Sequence, residues 1–413
     1  MFLFGSAKRR WSKIHCAFYM ADATELYKPN GSFYMTGIEL TAPNANSGGA
    51  AMFRTAQDAI LAGKVYSEHP ILVSRDDEKV TELWPLKYSN IFHMSADSKQ
   101  FKRKDVLYKE NWTAGPFRTW THPTRGIAVP LYEGKMVQMY NHRAAEIVIN
   151  PANLHRPAQE VPVDSARKAD PAFLPDAQYW VVTTDFKFDE MPSAVLGFKD
   201  VTSPTNVRSA IAAFIPASGA GHTFPLMLPR AGCSHADYLH AASLLLANLN
   251  SFACDFFLRQ KLQTQHLTLF MLEQLPVITP ARFNNPLPAA FAKAMRAAKL
   301  MNGHHAHPTV ADFVIPQVLA LTYTAHDMAP FARDLGYVDA AGQVLPPFVW
   351  NDEERRTRLA ALDALFFWLY GLGLDDAAYI MDTFPIVRDQ DTKAFGCYRT
   401  KDDVLAILAI LEA

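Results

Sequence analysis

Glu133 and Lys135, two positions apart in the string PLYEGKMVQMYNHRAA, suggest acid–base work or a fragment of an Asp/Glu-x-Lys nuclease centre. Such a centre needs further acids converging on a metal ion, and the neighbouring sequence supplies none. A structural or DNA-facing role for Lys135, His142 and Arg143 fits the string better. His304, His305 and His307 form a tract that could bind metal, but no cysteine or acid accompanies them at ligand spacing. A cofactor site for S-adenosylmethionine needs a Gly-rich turn after an early strand. Methylation of an amino group on a flipped base needs an Asn/Asp-Pro-Pro-aromatic loop. The nearest string, Leu345-Pro346-Pro347-Phe348, lacks the leading Asn/Asp and precedes a helix. Phosphate-binding, hydrolase-elbow, zinc-protease and dinucleotide motifs are also absent. The expectation is a chain with no catalytic residues and no metal site of its own.

The remaining polar constellations suit recognition. Thr202-Ser203-Pro204-Thr205-Asn206 is a short-chained turn, followed by Arg208 and the apolar run from Ala210 to Ile215. A hairpin with a polar tip and a basic neighbour can bring side chains to a DNA groove; an ordinary turn between two core strands looks the same in sequence. Lys99, Lys102, Arg103 and Lys104 read equally as phosphate contacts or as a solvated face.

These residues need elements to carry them. Residues 194–225 read as strand, polar turn, strand, Gly-rich loop, strand. Helical spacing predicts a helix over Phe53–Tyr66 and one long helix over His235–Leu262, where Arg259 and Lys261 suit either the helix dipole or phosphates. Residues 151–178 are Pro-rich and read as a linker or long loop, and 263–280 as a turn, a short helix and a strand. From Thr309 the pattern is helical, with Asn351 capping a helix that stops at Gly371.

With 413 residues the chain suggests two or three domains, and its net charge of -1 means that nucleic-acid binding would need a local basic surface. Four scattered cysteines without a CxxC pair, an N-terminus unlike a signal peptide and no long apolar run favour a cytoplasmic protein without a membrane span.

An ordered set of strings resembles one family: FRTAQDAILAGKVY (53–66), VPLYEGKMVQMYNHRAA (129–145), YWVVTT (179–184), LGFKDVTSPTNVRSAIAAFIP (196–216), GHTFPL (221–226), LLANLNSFACDFFLRQKLQTQHLTLFMLEQLPV (245–277), VLALTYTAHDMAPFARDLGY (318–337), DALFFWLYGL (363–372) and DTFPIVRDQDTKAFGCYRTKDDVL (382–405). In order and spacing they look like the C-terminal half of the large adenine-N6 DNA methyltransferases of type IIG restriction–modification and of the DISARM and BREX defence systems. One departure is Gln263-Thr264-Gln265, where that family usually has a Gly-Gly-Thr turn permitting close backbone approach.

The resemblance implies a sequence-specific DNA-recognition module, inactive alone. Its partners would be double-stranded DNA and a methyltransferase core or other defence-system subunit. S-adenosylmethionine would be bound on that missing domain or partner and not on this chain. The expected fold is α+β: a mixed-sheet target-recognition domain packed on long helices, followed by a C-terminal helical region. The expected partition is a methyltransferase-like tail (1–50), the recognition domain (51–280) and the helical domain (281–413). By position, the implied DNA-facing residues are Lys199, Thr202, Ser203, Thr205, Asn206 and Arg208; Gln265, His266 and Thr268; Lys135, His142 and Arg143; and Lys102, Arg103 and Lys104. Asn and Gln would read adenine edges, Arg guanine, and Lys mainly phosphate. The alternatives are a protein–protein adaptor docking through the aromatic-rich helical end, and a stand-alone nuclease using Glu133 and Lys135.

Overall fold

The computed structural model describes residues 13–20, 22–27, 32–76, 79–149, 158–262, 264–301 and 306–413. Lys8, Arg9, Arg10, Gln263, His304 and His305 lie outside them. The chain opens with an antiparallel pair, β1 (Ile14–Cys16) and β2 (Phe33–Met35). Helices α1 (Gly37–Thr41) and α2 (Ala56–Glu68) each begin at a reciprocal capping box, Thr36 with Glu39 and Thr55 with Asp58. A hairpin of β3 (Val73–Asp76) and β4 (Lys79–Glu82) leads into β5 (Leu86–Ser89). Then follow α3 (Lys104–Lys109), β6 (Thr113–Ala114), β7 (Trp120–His122) and β8 (Gly126–Tyr132).

The Pro-rich stretch is more ordered than a linker. Strand β10 (Ala158–Pro162) pairs with β9 (Ala145–Ile149), and α4 (Ser165–Ala169) is capped by Asp164. Next come β11 (Trp180–Val182), β12 (Ala194–Phe198), β13 (Ala212–Pro216), β14 (Gly219–Ala220) and β15 (Leu226–Pro229). The rest is helical: α5 (His235–Leu249), α6 (Phe252–Lys261), α7 (Leu269–Glu273), α8 (Ala289–Ala297), α9 (Val310–Thr322), α10 (Ala329–Asp334), α11 (Asp352–Leu369), α12 (Leu374–Asp382), α13 (Pro385–Phe395) and α14 (Arg399–Glu412).

The period-two alternation of strand side chains builds the layers. The antiparallel sheet β13-β12-β15-β5 turns Leu196, Phe198, Ala212, Phe214 and Met227 towards the helices. Its other face presents Val195, Ala213, Ile215 and Leu226 to a second sheet, β11-β8-β7-β6, where they meet Trp120, Ala128, Tyr132 and Trp180. That second sheet is mixed, because β14 pairs with β8 in parallel. Between the layers the Phe224 ring lies against Gly197, where a Cβ would overlap it. The architecture is α+β, a mixed sheet and an antiparallel sheet packed on helices with a helical C-terminal region.

One expectation is corrected by this packing. The single long helix over 235–262 is two, α5 and α6, meeting at 68°. The break falls where Ser251 caps α6 by accepting from Cys254 N and where Asn250 bonds the backbone N and O of Ala212. The helical core draws on residues from Met35 and Phe53 to Leu411. No single helix among the described residues is long and apolar enough to cross a membrane.

Candidate nucleic-acid interface

The connection between β12 and β13 spends much of its polar chemistry on itself. Thr202 Oγ1 donates to Ser209 O (2.8 Å), Ser209 Oγ donates to Ser203 O (2.8 Å), and Ser203 Oγ lies 2.8 Å from Thr205 Oγ1. Side chains that bond local backbone fix a loop without strand pairing. Thr205 and Asn206 remain exposed at its tip, Ser203 is half-buried, and Thr202 is buried.

Beneath this loop lies a buried charge cluster from α6. Arg208 donates from Nε to Asp255 Oδ2 (2.8 Å) and from Nη2 to Asn250 O, with its guanidinium 3.9 Å over the Phe252 ring. Asp255 also accepts from Ser209 N (3.0 Å), Ala210 N (3.3 Å) and Arg259 Nε (3.3 Å). Arg259 in turn donates to the carbonyls of Asn206 (2.8 Å) and Val207 (3.1 Å) and lies 4.0 Å over Phe384. Arg208, expected at the DNA surface, is therefore a brace, only 7% exposed. Thr202 is corrected likewise: its hydroxyl closes the loop from inside. Burial pushes the nearby Asp363 carboxyl up to about 6, although Arg208 opposes the shift.

The second expected loop does join the first. A bridge pairs Val201 with His266, Thr202 N donates to Gln265 O (3.0 Å), Leu267 N donates to Asp200 O (2.7 Å), and His266 Nδ1 lies 2.8 Å from Asp200 Oδ2. The Thr268 hydroxyl is the α7 cap, accepting from Met271 N at 3.4 Å. Thr205, Asn206, Gln265 and His266 thus form one exposed polar rim, interleaved with exposed Val201, Val207 and Phe270. Two histidines missed in the sequence extend it. His93 and His222 stack with ring centroids 4.3 Å apart and planes at 7°, and His222 Nδ1 accepts from Met94 N at 3.1 Å. Burial, then His93 and His266, holds the His222 pKa below its ordinary value, with Asp200 opposing. His222 lies in the GHTFPL string, but its partners are brought together only by the fold.

Lys199 and the other two expected groups are tied up differently. Lys199 is half-buried, and burial lowers its pKa while Glu160 opposes. Lys135 donates to Gln178 Oε1 (3.0 Å) and pairs with Glu133 (3.2 Å), whose carboxyl is raised by burial. His142 and Arg143 are corrections. His142 Nε2 lies 3.0 Å from both oxygens of Asp327, and Arg143, 0% exposed, donates to the carbonyls of Lys168, Asp170, Phe173 and Thr324. Burial alone would raise the Asp327 carboxyl, but His142, Arg118 and Arg143 together outweigh it and its pKa falls. These residues clamp the 168–173 segment to the end of α9. Lys102 pairs with Glu110 (2.8 Å) and Lys104 with Asp176 (2.9 Å), while Lys99 is exposed and Arg103, also exposed, lies 5.9 Å over the Tyr179 ring.

No group of three or more His, Cys, Asp or Glu among the described residues could hold a metal ion. Leu345–Phe348 is structural: Phe348 N donates to Tyr323 O (2.9 Å) and its ring stacks 5.0 Å from Tyr337, so the string does not fit an adenine-binding loop. In the DALFFWLYGL string, Leu365, Phe366, Phe367, Leu369 and Tyr370 are buried in the helical core.

No protein-family model, curated protein or solved structure matches this chain.

Proposed function

We propose that the chain is a DNA-recognition module of an adenine-N6 methyltransferase, restriction–modification or phage-defence system, working beside a methyltransferase core that carries the S-adenosylmethionine site. The observation that carries this reading is the joining of the 199–211 and 264–268 loops into one braced rim. Asn206 and Gln265 side chains match adenine edges in a major groove, and exposed Val201 and Val207 suit thymine methyl groups. Lys99, Arg103 and Lys104 supply phosphate contacts, since the net charge of the whole chain supplies no attractive field. This chain's residues position and read DNA and perform no bond-making step.

Anisotropy titrations of labelled random duplexes test the reading. Binding at about 50 mM salt should weaken steeply by about 200 mM, because released counterions dominate non-specific affinity. No binding at the lower salt overturns it.

A further inference from the structure

A cavity of about 260 Å³ lies between the β3–β4 hairpin, β5, α5 and α7, on a different set of side chains from the rim. Leu72, Trp84, Tyr88, Met227, Leu245 and Leu272 form most of its wall. Cavities of about 150 Å³ lined by such side chains bind benzene, so this one has room for a ring and a short substituent. Trp84 is 3% exposed and its Nε1–H is buried with no acceptor among the described residues, although buried donors are nearly always paired. The mouth of the cavity holds one cation that is not ion-paired. Glu273 is paired with Arg75 and Glu82 with Arg230, while Lys87, exposed on β5, has no ion-pair partner among the described residues.

We propose that this cavity is a binding site for a small carboxylate with an aromatic or branched aliphatic body. The apolar wall takes the body, the Trp84 indole N–H donates to an acceptor on the ligand, and Lys87 favours an anion over a cation at the mouth. Neutral and cationic molecules of the same shape lack one or both polar partners.

The test follows the tryptophan indole N–H resonances of the ¹⁵N-labelled full chain, with that of Trp84 identified by its loss in Trp84→Phe. Phenylacetate should move the Trp84 resonance downfield and saturate it. Phenethylamine and acetate should bind at least about tenfold more weakly, one lacking the anion and the other the apolar body. Lys87→Glu, at an exposed position, should narrow the preference for the acid, and Leu269→Trp, on the half-buried cavity edge, should abolish binding. A Trp84 resonance that does not respond to phenylacetate overturns the proposal. So does equal affinity for the amine, or undiminished binding in Leu269→Trp with unchanged remaining indole resonances.

Discussion

The Arg208 guanidinium donates to Asp255 across 2.8 Å with 8% and 0% of the two side chains exposed, directly under the loop that carries Thr205 and Asn206. The pair converts a potentially mobile polar loop into a fixed one, because Asp255 also holds the amides of Ser209 and Ala210. Preorganised polar groups lose less entropy on binding than floppy ones.

Removing Arg208 leaves the buried Asp255 with Arg259 as its one remaining cation among the described residues and takes a donor from Asn250 O. Arg208→Met should cost about 3–5 kcal/mol in urea unfolding. The double variant Arg208→Met/Asp255→Leu should lose more stability than the single one, because it also takes the acceptor from Ser209 N, Ala210 N and Arg259. A double variant as stable as the single one, or more stable, would contradict this account.

Asn206 and Gln265 are expected to govern preference, and Arg103 affinity. Asn206→Ala with Gln265→Ala should flatten discrimination among duplex sequences, at about 1–3 kcal/mol per lost contact, while leaving low-salt affinity nearly intact. Arg103→Ala should weaken all duplexes alike and reduce the salt slope by about 1. Selection from a randomised duplex pool, repeated at two salt concentrations, separates the two effects.

Asp363 should make stability fall with rising pH in a defined window. Its folded pKa of about 6 lies above the ordinary carboxylate value near 3.9, so the folded state binds the extra proton between them. The contribution is fully present below about 4 and is lost as pH rises through about 6, roughly 3 kcal/mol in all. Asp363→Asn keeps an oxygen acceptor for Phe252 N, which now donates to Asp363 at 2.8 Å, and should remove that part of the slope. Urea midpoints at pH 4.5 and 6.5 for both proteins check the sign.

Arg143→Leu should lower the thermal midpoint without changing low-salt DNA affinity. Four carbonyls lose their donor in this variant, and each buried orphan costs about 1–3 kcal/mol. A change in DNA affinity with unchanged stability would return Arg143 to the interface.

Strand existence was legible in 194–225 because strands with side chains buried on both faces read as near-continuous apolar runs between turn residues. Facing was not. Thr202, Arg208 and His142 have the types that meet DNA, and only the fold shows that their partners are Ser209, Asp255 and Asp327, the last 185 residues from His142. The α5–α6 break was signalled by Asn250-Ser251, a good capping pair, but unbroken apolar spacing on either side concealed it. The adjacency of the rim loops rests on the Val201–His266 bridge, which no periodicity encodes.

The continuous helical core also has a kinetic side. Tyr379 donates to Asp58, 321 residues earlier, and Thr55 lies 2.6 Å from the same hydroxyl. β5 pairs with β15, well over a hundred residues later. Contacts of such separation close large loops before they return any energy, which slows folding. During synthesis the apolar faces of α2 and β5 would wait for the last helices to emerge, so the chain should depend on holding factors in the cell more than a fold assembled from local hairpins would.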